Sequence, residues 1–195
     1  MPHIALDNDL PGIIGLMVHR PDTGGALGDL ANALLRAPSS LEPGERELIA
    51  AYVSRLNGTE FCASSHGAFA ASQLAGGQEL VRDVLADPGT ALISGRLRAL
   101  LDLAAEVQSA ARPVSDRAIA AARAEGADDT DLHDTVLIAA AFCMYNRYVC
   151  GLATELPKDD EYYEQAARRI VTDGYRSGIV AVTDPTPTGT QEAAA

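Results

Sequence analysis

The sequence predicts an all-α fold, and three observations support this class. Alanine dominates the composition, aromatic residues make up only 5% of the chain, and tryptophan is absent. This composition favours close-packed helices over sheets, because alanine has a high helix propensity and small side chains let helices approach closely. Apolar residues also recur at helical spacing in most segments. With 195 residues, the chain is expected to form one domain with a sizeable core.

Nine helices are expected, each an apolar stretch bounded by glycine, proline or a capping residue. In chain order they are 11–19, 26–35, 42–57, 59–77, 78–86, 91–110, 117–125, 130–152 and 159–175. Gly24 and Gly25 are expected to separate the first two helices, and Pro43 opens the third. Gly58 ends the third helix because it tolerates a left-handed conformation, and Thr59 is then a good N-cap for the fourth.

In the second half of the chain, the helix at 91–110 carries a stripe of leucines and ends before Pro113. Thr130 or Asp131 is expected to cap the long helix that follows, whose middle is apolar almost all round. That pattern predicts burial on every side, either in the centre of the domain or beneath another subunit.

The predicted organisation is a single helical domain at 1–177, with a motif region at 42–76 and a long core helix at 130–154. A C-terminal tail at 178–195 has little to pack. The N-terminal residues lack a basic region followed by an apolar run, so they are not expected to be a targeting sequence. No stretch approaches the ~20 apolar residues that cross a bilayer. The protein is therefore expected in the cytoplasm, away from membranes.

The charge balance and the absence of certain motifs limit the function classes. Fifteen Lys and Arg against 27 Asp and Glu give a net charge of −12, which argues against binding nucleic acid or an anionic membrane. No glycine-rich phosphate loop follows a strand, and the four histidines lack the clustering of a metal site. No cofactor and no metal are expected. Three cysteines, an odd number, do not suggest a disulfide framework.

The strongest functional signal lies at 47–66. Cys62 is predicted at the third position of the helix after Thr59, where free N–H groups and the positive end of the helix dipole favour a thiolate. His66 lies four residues later on the same face, close enough to share a proton with the sulfur or to pair with its anion. The two residues together predict a reactive thiol with a lowered pKa. A buried core cysteine is the alternative.

Glu47, Cys62 and His66 also have the spacing of a known redox motif. The segment resembles the alkyl hydroperoxidase D and carboxymuconolactone decarboxylase superfamily, specifically its peroxidase-related branch. The motif of that family is Glu, eleven residues, Cys-x-x-Cys, three residues and His. Thr59 occupies the place of the first cysteine. The apolar segment 137–152 is similar to the family's long later helix.

The resemblance implies an alkyl hydroperoxidase D-like helical bundle that assembles as a homotrimer or homohexamer. It also implies a peroxiredoxin-type activity, in which Cys62 attacks the O–O bond of a small-molecule peroxide while His66 and Glu47 manage the protons. In the family, the first cysteine of the motif resolves the oxidised partner. Because Thr59 stands there, the vicinal disulfide cannot form. A weak or atypical peroxidase that depends on an external thiol reductant is therefore expected.

Two other functions stay open at this stage. A cofactor-free, decarboxylase-like lyase or isomerase would use His66 and Glu47 for acid–base chemistry, with Cys62 secondary. The decarboxylases of the superfamily generally lack the cysteine motif, so Cys62 counts against this alternative. A non-catalytic redox sensor would keep the fold without turnover.

Four further residues are secondary candidates. Thr59 is either an N-cap or a substrate contact. Cys143 and Cys150 lie seven residues apart on one face of the long helix, too far apart to bond to each other. They either pack in the core, or one of them replaces the missing cysteine and resolves oxidised Cys62. His133, in the first turn of that helix, either approaches the Cys62 site or is solvated.

Overall fold

The computed structural model describes the backbone of residues 1–183 and the side chains of residues 1–175. Over these residues the chain forms nine helices and no strand, which confirms the all-α prediction. The helices are α1 (Gly12–His19), α2 (Pro21–Arg36), α3 (Pro43–Leu56), α4 (Glu60–Ala71), α5 (Gly77–Ala86), α6 (Gly95–Ser109), α7 (Asp116–Ala124), α8 (Asp129–Gly151) and α9 (Asp160–Thr183).

Two helices begin at different places from those predicted. α2 starts at Pro21 and runs through Gly24, because the missing side chain lets this turn lie against the backbone of Met17 in α1. A Cβ at Gly24 would lie 2.3 Å from the Met17 carbonyl oxygen. α6 starts later than expected, because the hydroxyl of Ser94 accepts a hydrogen bond from the Leu97 N–H at 3.1 Å and caps the helix there.

Two further boundaries were wrong for local reasons. α4 ends at Ala71 rather than at the following glycine pair, and the hydroxyl of Ser72 donates to a carbonyl oxygen in its last turn at 2.8 Å. The N-cap of α8 is Asp128 and not Thr130 or Asp131. Asp128 and Asp131 form a reciprocal capping box, in which each side chain accepts from the other residue's backbone N–H.

α3 is the central helix, and it contacts α2, α4, α5, α6 and α8. α3 and α4 form a tight helical hairpin, whose short connection contains Gly58 with a φ of 68°. The main apolar core lies around α3, α6 and α8. A smaller cluster, where α4, α8 and α9 meet, includes Phe61, Cys62, Phe69 and Ile170. The fold therefore places the motif cysteine in an apolar environment.

α8 is buried on one side only. Phe142 and Tyr145 are buried, whereas Leu137 and Met144 are 40% and 43% exposed. Among the residues whose side chains are described, burial of α8 on every side is therefore not observed, because these two apolar side chains remain partly exposed. The predicted homotrimer or homohexamer, which would cover them, stays a prediction.

α9 is longer than predicted and is kinked. Gly174 has a φ of 74°, and the backbone continues as helix to Thr183. The helix therefore extends into the predicted tail at 178–195, and residues 184–195 lie outside the described residues. No helix in the described part of the chain combines the length and apolar character required to cross a membrane.

Candidate active site

The α3–α4 hairpin brings Glu47 and His66 into direct contact. Glu47 is 0% exposed, and its Oε2 lies 2.7 Å from Nδ1 of His66. Because a carboxylate oxygen only accepts, the Nδ1–H of the imidazole donates to it. This bond fixes the tautomer and leaves Nε2 available to take up a proton. The contact between the two residues is the one expected from the motif.

Tyr175 completes this cluster and was not predicted from the sequence. Its hydroxyl donates to both carboxylate oxygens of Glu47, at 2.8 and 2.9 Å, and lies 3.3 Å from His66 Nδ1. Burial and the neighbouring Glu47 raise the pKa of Tyr175 well above its usual value, so the hydroxyl remains a donor. The kink at Gly174 directs the chain here, and Asn32 Oδ1 accepts the Tyr175 N–H at 3.2 Å.

The only sequence signal for Tyr175 was the glycine before it. A glycine inside an otherwise helical segment suggests a break, but it does not say where the next side chain points. Tyr175 and Glu47 are also far apart in the chain, so no local spacing connects them. Only the packing of α9 against α2 and α4 does so.

Cys62 and His66 line one cavity of about 80 Å³ between α1, α2, α4, α8 and α9. Most of the remaining wall is aliphatic or aromatic. Aromatic rings come from Phe61, Phe69 and Phe142, among others. A cavity of this size has room for a few water molecules or the body of a small organic molecule. The site can therefore hold a small apolar reactant beside the thiol and the imidazole.

The lowered pKa predicted for Cys62 is wrong. The side chain is 3% exposed, and burial raises the pKa of the thiol to about 12, while a hydrogen bond with Asn146 acts in the opposite direction. A thiolate loses its hydration in this apolar cluster, and that loss outweighs the favourable field at the helix start. Cys62 is therefore a neutral thiol in the resting protein.

The expected direct contact between Cys62 and His66 is also absent. Among the described residues, no hydrogen bond joins the two side chains; the imidazole is bonded to Glu47 through Nδ1, and Asn146 lies beside the thiol. A proton can still pass from the sulfur to Nε2 through a water molecule or a substrate in the shared cavity. The thiol would then ionise during the reaction rather than before it.

Asn146 is held by a buried polar network. Its Oδ1 accepts from Asn57 Nδ2 at 2.8 Å, and its Nδ2 donates to Ser54 Oγ at 3.0 Å. Gln108 in turn donates to Asn57 Oδ1 at 3.0 Å. These bonds hold the side-chain amide of Asn146, which lies on α8, in a fixed position beside Cys62. In the sequence, Asn146 is a polar residue within a largely apolar helix, and nothing local connects it to Cys62.

Thr59 stands at the N-cap position of α4, but its side chain makes no capping bond. Its Oγ1 lies 3.2 Å from Cys150 Sγ instead, so Thr59 has the predicted N-cap position but its hydroxyl does not cap the helix. Cys150 is exposed. Cys143 is half-buried and lies 3.7 Å from the amide nitrogen of Asn57. Of the two cysteines on α8, Cys150 is the one next to the start of the motif helix.

His133 does not approach the site. It is exposed, its Nδ1 lies 3.0 Å from Asp134 Oδ1, and it does not line the cavity. The solvated alternative is therefore the observed one, because the start of α8 lies far along the helix from its contact with α4. Within the described part of the chain, no group of three or more His, Cys, Asp or Glu side chains is placed to hold a metal ion.

The fold and the site define an all-helical protein with a buried Glu–His–Tyr cluster beside a cysteine in an apolar cavity. Residues 21–106 match the model of the Carboxymuconolactone decarboxylase family, and this segment contains Glu47, Cys62 and His66. The match and the similar structures below confirm the resemblance to the alkyl hydroperoxidase D and carboxymuconolactone decarboxylase superfamily, in its peroxidase-related branch.

Two solved structures are similar over most of their length. One is an uncharacterized peroxidase-related protein from Silicibacter sp. TM1040, with 28% identity, a TM-score of 0.71 and 80% of each chain covered. The other is described as an alkylhydroperoxidase AhpD core, an uncharacterized peroxidase-related protein from Ralstonia eutropha JMP134, with 28% identity, a TM-score of 0.72 and 82% of each chain covered. No curated protein gave a significant match.

The raised pKa of Cys62 has a measurable effect on stability. The folded thiol keeps its proton up to a pKa of about 12, whereas the unfolded thiol loses it at a lower pH, so stability falls as pH rises between these values. From pH 8 to pH 10, the free energy of unfolding is expected to fall by about 2 kcal/mol more in the wild type than in Cys62→Ala. Urea denaturation at both pH values measures this difference. Equal decreases in the two proteins would show that folding does not raise the pKa of this thiol.

Proposed function

We propose that this protein is a thiol-dependent peroxidase that reduces organic hydroperoxides through Cys62. The observation that carries the proposal is the shared cavity: Cys62 and His66 line it together, and His66 is bonded to a fully buried carboxylate. A nucleophilic sulfur and a nitrogen base next to one small apolar space are what peroxide cleavage requires. The peroxidase-related description of both similar structures supports the proposal.

The reaction starts from the neutral thiol. The sulfur of Cys62 attacks the terminal peroxide oxygen, the O–O bond breaks, and the bonding electron pair leaves with the alkoxide. The thiol proton passes by way of Nε2 of His66 to the alkoxide, which leaves as an alcohol. Glu47 stabilises the imidazolium that forms for a moment. The products are a sulfenic acid on Cys62 and one alcohol molecule.

The wall of the cavity favours a peroxide with an apolar body. Apart from Cys62, His66, Ser65, Arg169 and the tyrosine hydroxyls, the lining side chains offer no polar group. Hydrogen peroxide would leave this apolar surface uncovered, whereas an alkyl group would bury it and gain about 25 cal/mol per Å² of apolar area. An organic hydroperoxide is therefore the preferred substrate class.

The test is consumption of tert-butyl hydroperoxide by the wild-type protein in the presence of excess dithiothreitol. Consumption should exceed that of dithiothreitol alone and saturate with peroxide. A rate equal to the protein-free rate would contradict the proposed activity.

Two observations also favour a second candidate function, which does not use the sulfur of Cys62. The raised pKa of Cys62 and the Tyr175–Glu47–His66 cluster also suit a cofactor-free lyase or isomerase, in which His66 moves a substrate proton and the cysteine only shapes the cavity. In that reaction the rate would not depend on the sulfur of Cys62. The serine variant considered in the Discussion separates the two functions.

Turnover requires a second thiol, and we propose that Cys150 supplies it. Thr59 and Cys62 are the N-cap and third residue of α4, so their side chains share its first turn. On α8, Asn146 and Cys150 are four residues apart on one face. Cys150 Sγ lies 3.2 Å from Thr59 Oγ1, and both Asn146 and Cys150 are close enough to Cys62 to influence the pKa of its thiol. These paired contacts bring Cys150 towards Cys62.

The resolving step then balances without a further oxidant. The Cys150 thiol attacks the sulfenic sulfur of Cys62, an S–S bond forms, and the hydroxyl leaves as water with the Cys150 proton. Two molecules of an external thiol reduce the disulfide and are themselves oxidised to one disulfide. Because Cys150 is exposed and Cys62 is buried, the external thiol attacks the Cys150 sulfur first.

Peptide mapping under non-reducing conditions tests this step. After treatment with one equivalent of peroxide and alkylation, the wild type should contain a Cys62–Cys150 disulfide. Cys150→Ser should lack it, and Cys62 should persist as a sulfenic acid that dimedone labels. Cys143→Ser is the matched control and should keep the disulfide. A Cys62–Cys143 disulfide, or no Cys62 disulfide at all, would remove Cys150 from the cycle.

A further inference from the structure

Arg169 is the one lysine or arginine that lines the cavity, as far as side chains are described. It lies on α9 between two apolar lining residues, Ala166 and Ile170, and is itself exposed. Its charged group is therefore placed at the rim of the cavity, while its stem covers part of the apolar wall. Its neighbour Arg168 does not line the cavity and pairs with Glu164 at 3.9 Å.

Nothing in the described part of the chain neutralises Arg169. No carboxylate there lies within 4.0 Å of its guanidinium, whereas ten other side chains of Arg or protonatable His among the described residues do have such a partner, among them Arg96 and Arg168. The guanidinium of Arg169 therefore has no carboxylate partner among the described residues, although the chain carries a net charge of −12. Its five donors remain available to a ligand.

A second donor lies near Arg169 at the cavity. Tyr162 also lines the cavity, and its hydroxyl is close enough for the charge of Arg169 to act on it. Burial raises the pKa of Tyr162, and Arg169 partly offsets the rise, so the hydroxyl stays protonated and able to donate. Two donors close together in a largely apolar wall can bind one small anionic group.

The charge of the protein decides which anionic group fits. One cation balances one negative charge, and the overall charge of −12 repels an anion that carries more. A carboxylate has a single charge and a planar shape that matches the guanidinium fork, whereas a phosphate monoester carries about two charges at neutral pH.

We propose that the substrate is a carboxylate-bearing organic hydroperoxide. Its carboxylate pairs with Arg169 at the rim, its apolar body occupies the cavity, and its peroxide group reaches Cys62. The peroxide part of this assignment rests on the proposed peroxidase function. The carboxylate part rests on the cavity alone and can be tested without a peroxide.

The first test measures binding of hexanoate, a carboxylate of suitable size with no peroxide, by isothermal titration calorimetry. Binding to Arg169→Gln should be about tenfold weaker than to the wild type, because a charge-assisted pair is lost. Arg168→Gln is the matched control, since it removes the adjacent charge from outside the cavity, and it should bind like the wild type. Equal losses in both variants, or no hexanoate binding by the wild type, would overturn the carboxylate site.

The second test compares a hydroperoxy acid with its methyl ester as substrates. The ratio of kcat/KM for acid over ester should exceed one in the wild type and in Arg168→Gln, and it should fall about tenfold in Arg169→Gln. A ratio that Arg169→Gln leaves unchanged would overturn the proposal while the peroxidase function stands. Arg169-dependent hexanoate binding without any peroxide reduction would instead keep the carboxylate site and contradict the peroxidase function.

Discussion

Replacing Cys62 with serine is expected to reduce peroxide consumption to the protein-free rate, a loss of at least about 100-fold. The hydroxyl of serine is far less nucleophilic than sulfur, and it cannot form the sulfenic acid on which the cycle depends. The substitution removes little volume from the apolar cluster that contains Cys62, so the fold should persist. The measurement is hydroperoxide consumption with excess dithiothreitol, with circular dichroism to confirm that the variant is folded.

Cys143→Ser is the control for this experiment. Cys143 lies on α8, is half-buried, and lines no part of the cavity. Its variant should keep the wild-type rate. If Cys62→Ser also kept that rate, the sulfur would not be the reacting atom, and acid–base chemistry by His66 and Glu47 would become the leading function.

Replacing Glu47 with glutamine is expected to lower kcat/KM by about 100-fold or more, within the range found for general acid–base groups. Glutamine fills the same buried space, but its amide is neutral and can present an N–H to His66. The imidazole would then accept at Nδ1 and carry its proton on Nε2, the nitrogen that must take the proton of Cys62. The neutral amide would also no longer stabilise the imidazolium.

The pH dependence distinguishes this role from a structural one. Without His66 as acceptor, the thiolate forms only by direct ionisation of a thiol with a pKa of about 12, so the rate of Glu47→Gln should rise about tenfold per pH unit between pH 7 and pH 9. The wild type should vary less steeply. A variant that is slower with an unchanged pH profile would show that Glu47 only supports the fold.

Tyr175→Phe is the matched comparison for Glu47→Gln. It removes one hydrogen-bond donor from the carboxylate but keeps the negative charge and the tautomer of His66. A loss of about tenfold or less is expected. If Tyr175→Phe were as slow as Glu47→Gln, the tyrosine hydroxyl itself would be moving the proton.

The environment of Cys62 shows which of its properties cannot be predicted from residues nearby in the sequence. The position of Cys62 at the third residue of α4 followed from Gly58 and Thr59, and the structure has it there. The ionisation state of the Cys62 thiol could not be predicted from these residues, because it depends on how much hydration the sulfur loses on folding. That loss is set by side chains from other helices, such as Val149 of α8 and Ile170 of α9, which no pattern near Cys62 reveals.

The contact between Glu47 and His66 was expected because the motif resembles that of a known family, and not from the residues alone. The two residues lie on consecutive helices joined by a short connection, and such helices pack side by side. The spacing alone did not decide whether Glu47 faces His66, because that contact also requires the two helices to meet in the right orientation. Tyr175 has no such relation to Glu47, since it lies 128 residues further along the chain.

The amino-acid sequence by itself determined the helical class and the approximate extent of most helices, whereas the pairing of an acid with an imidazole across α3 and α4 was implied by the resemblance of the motif to a known family. The helical class and the extent of the helices depend on helix periodicity and on helix-ending glycine and proline. Only the tertiary structure decided that Tyr175 reaches Glu47, that Thr59 contacts Cys150, and that the thiol is neutral. Each of these depends on the packing of α8 or α9 against α4, and such packing is set by the whole core rather than by neighbouring residues.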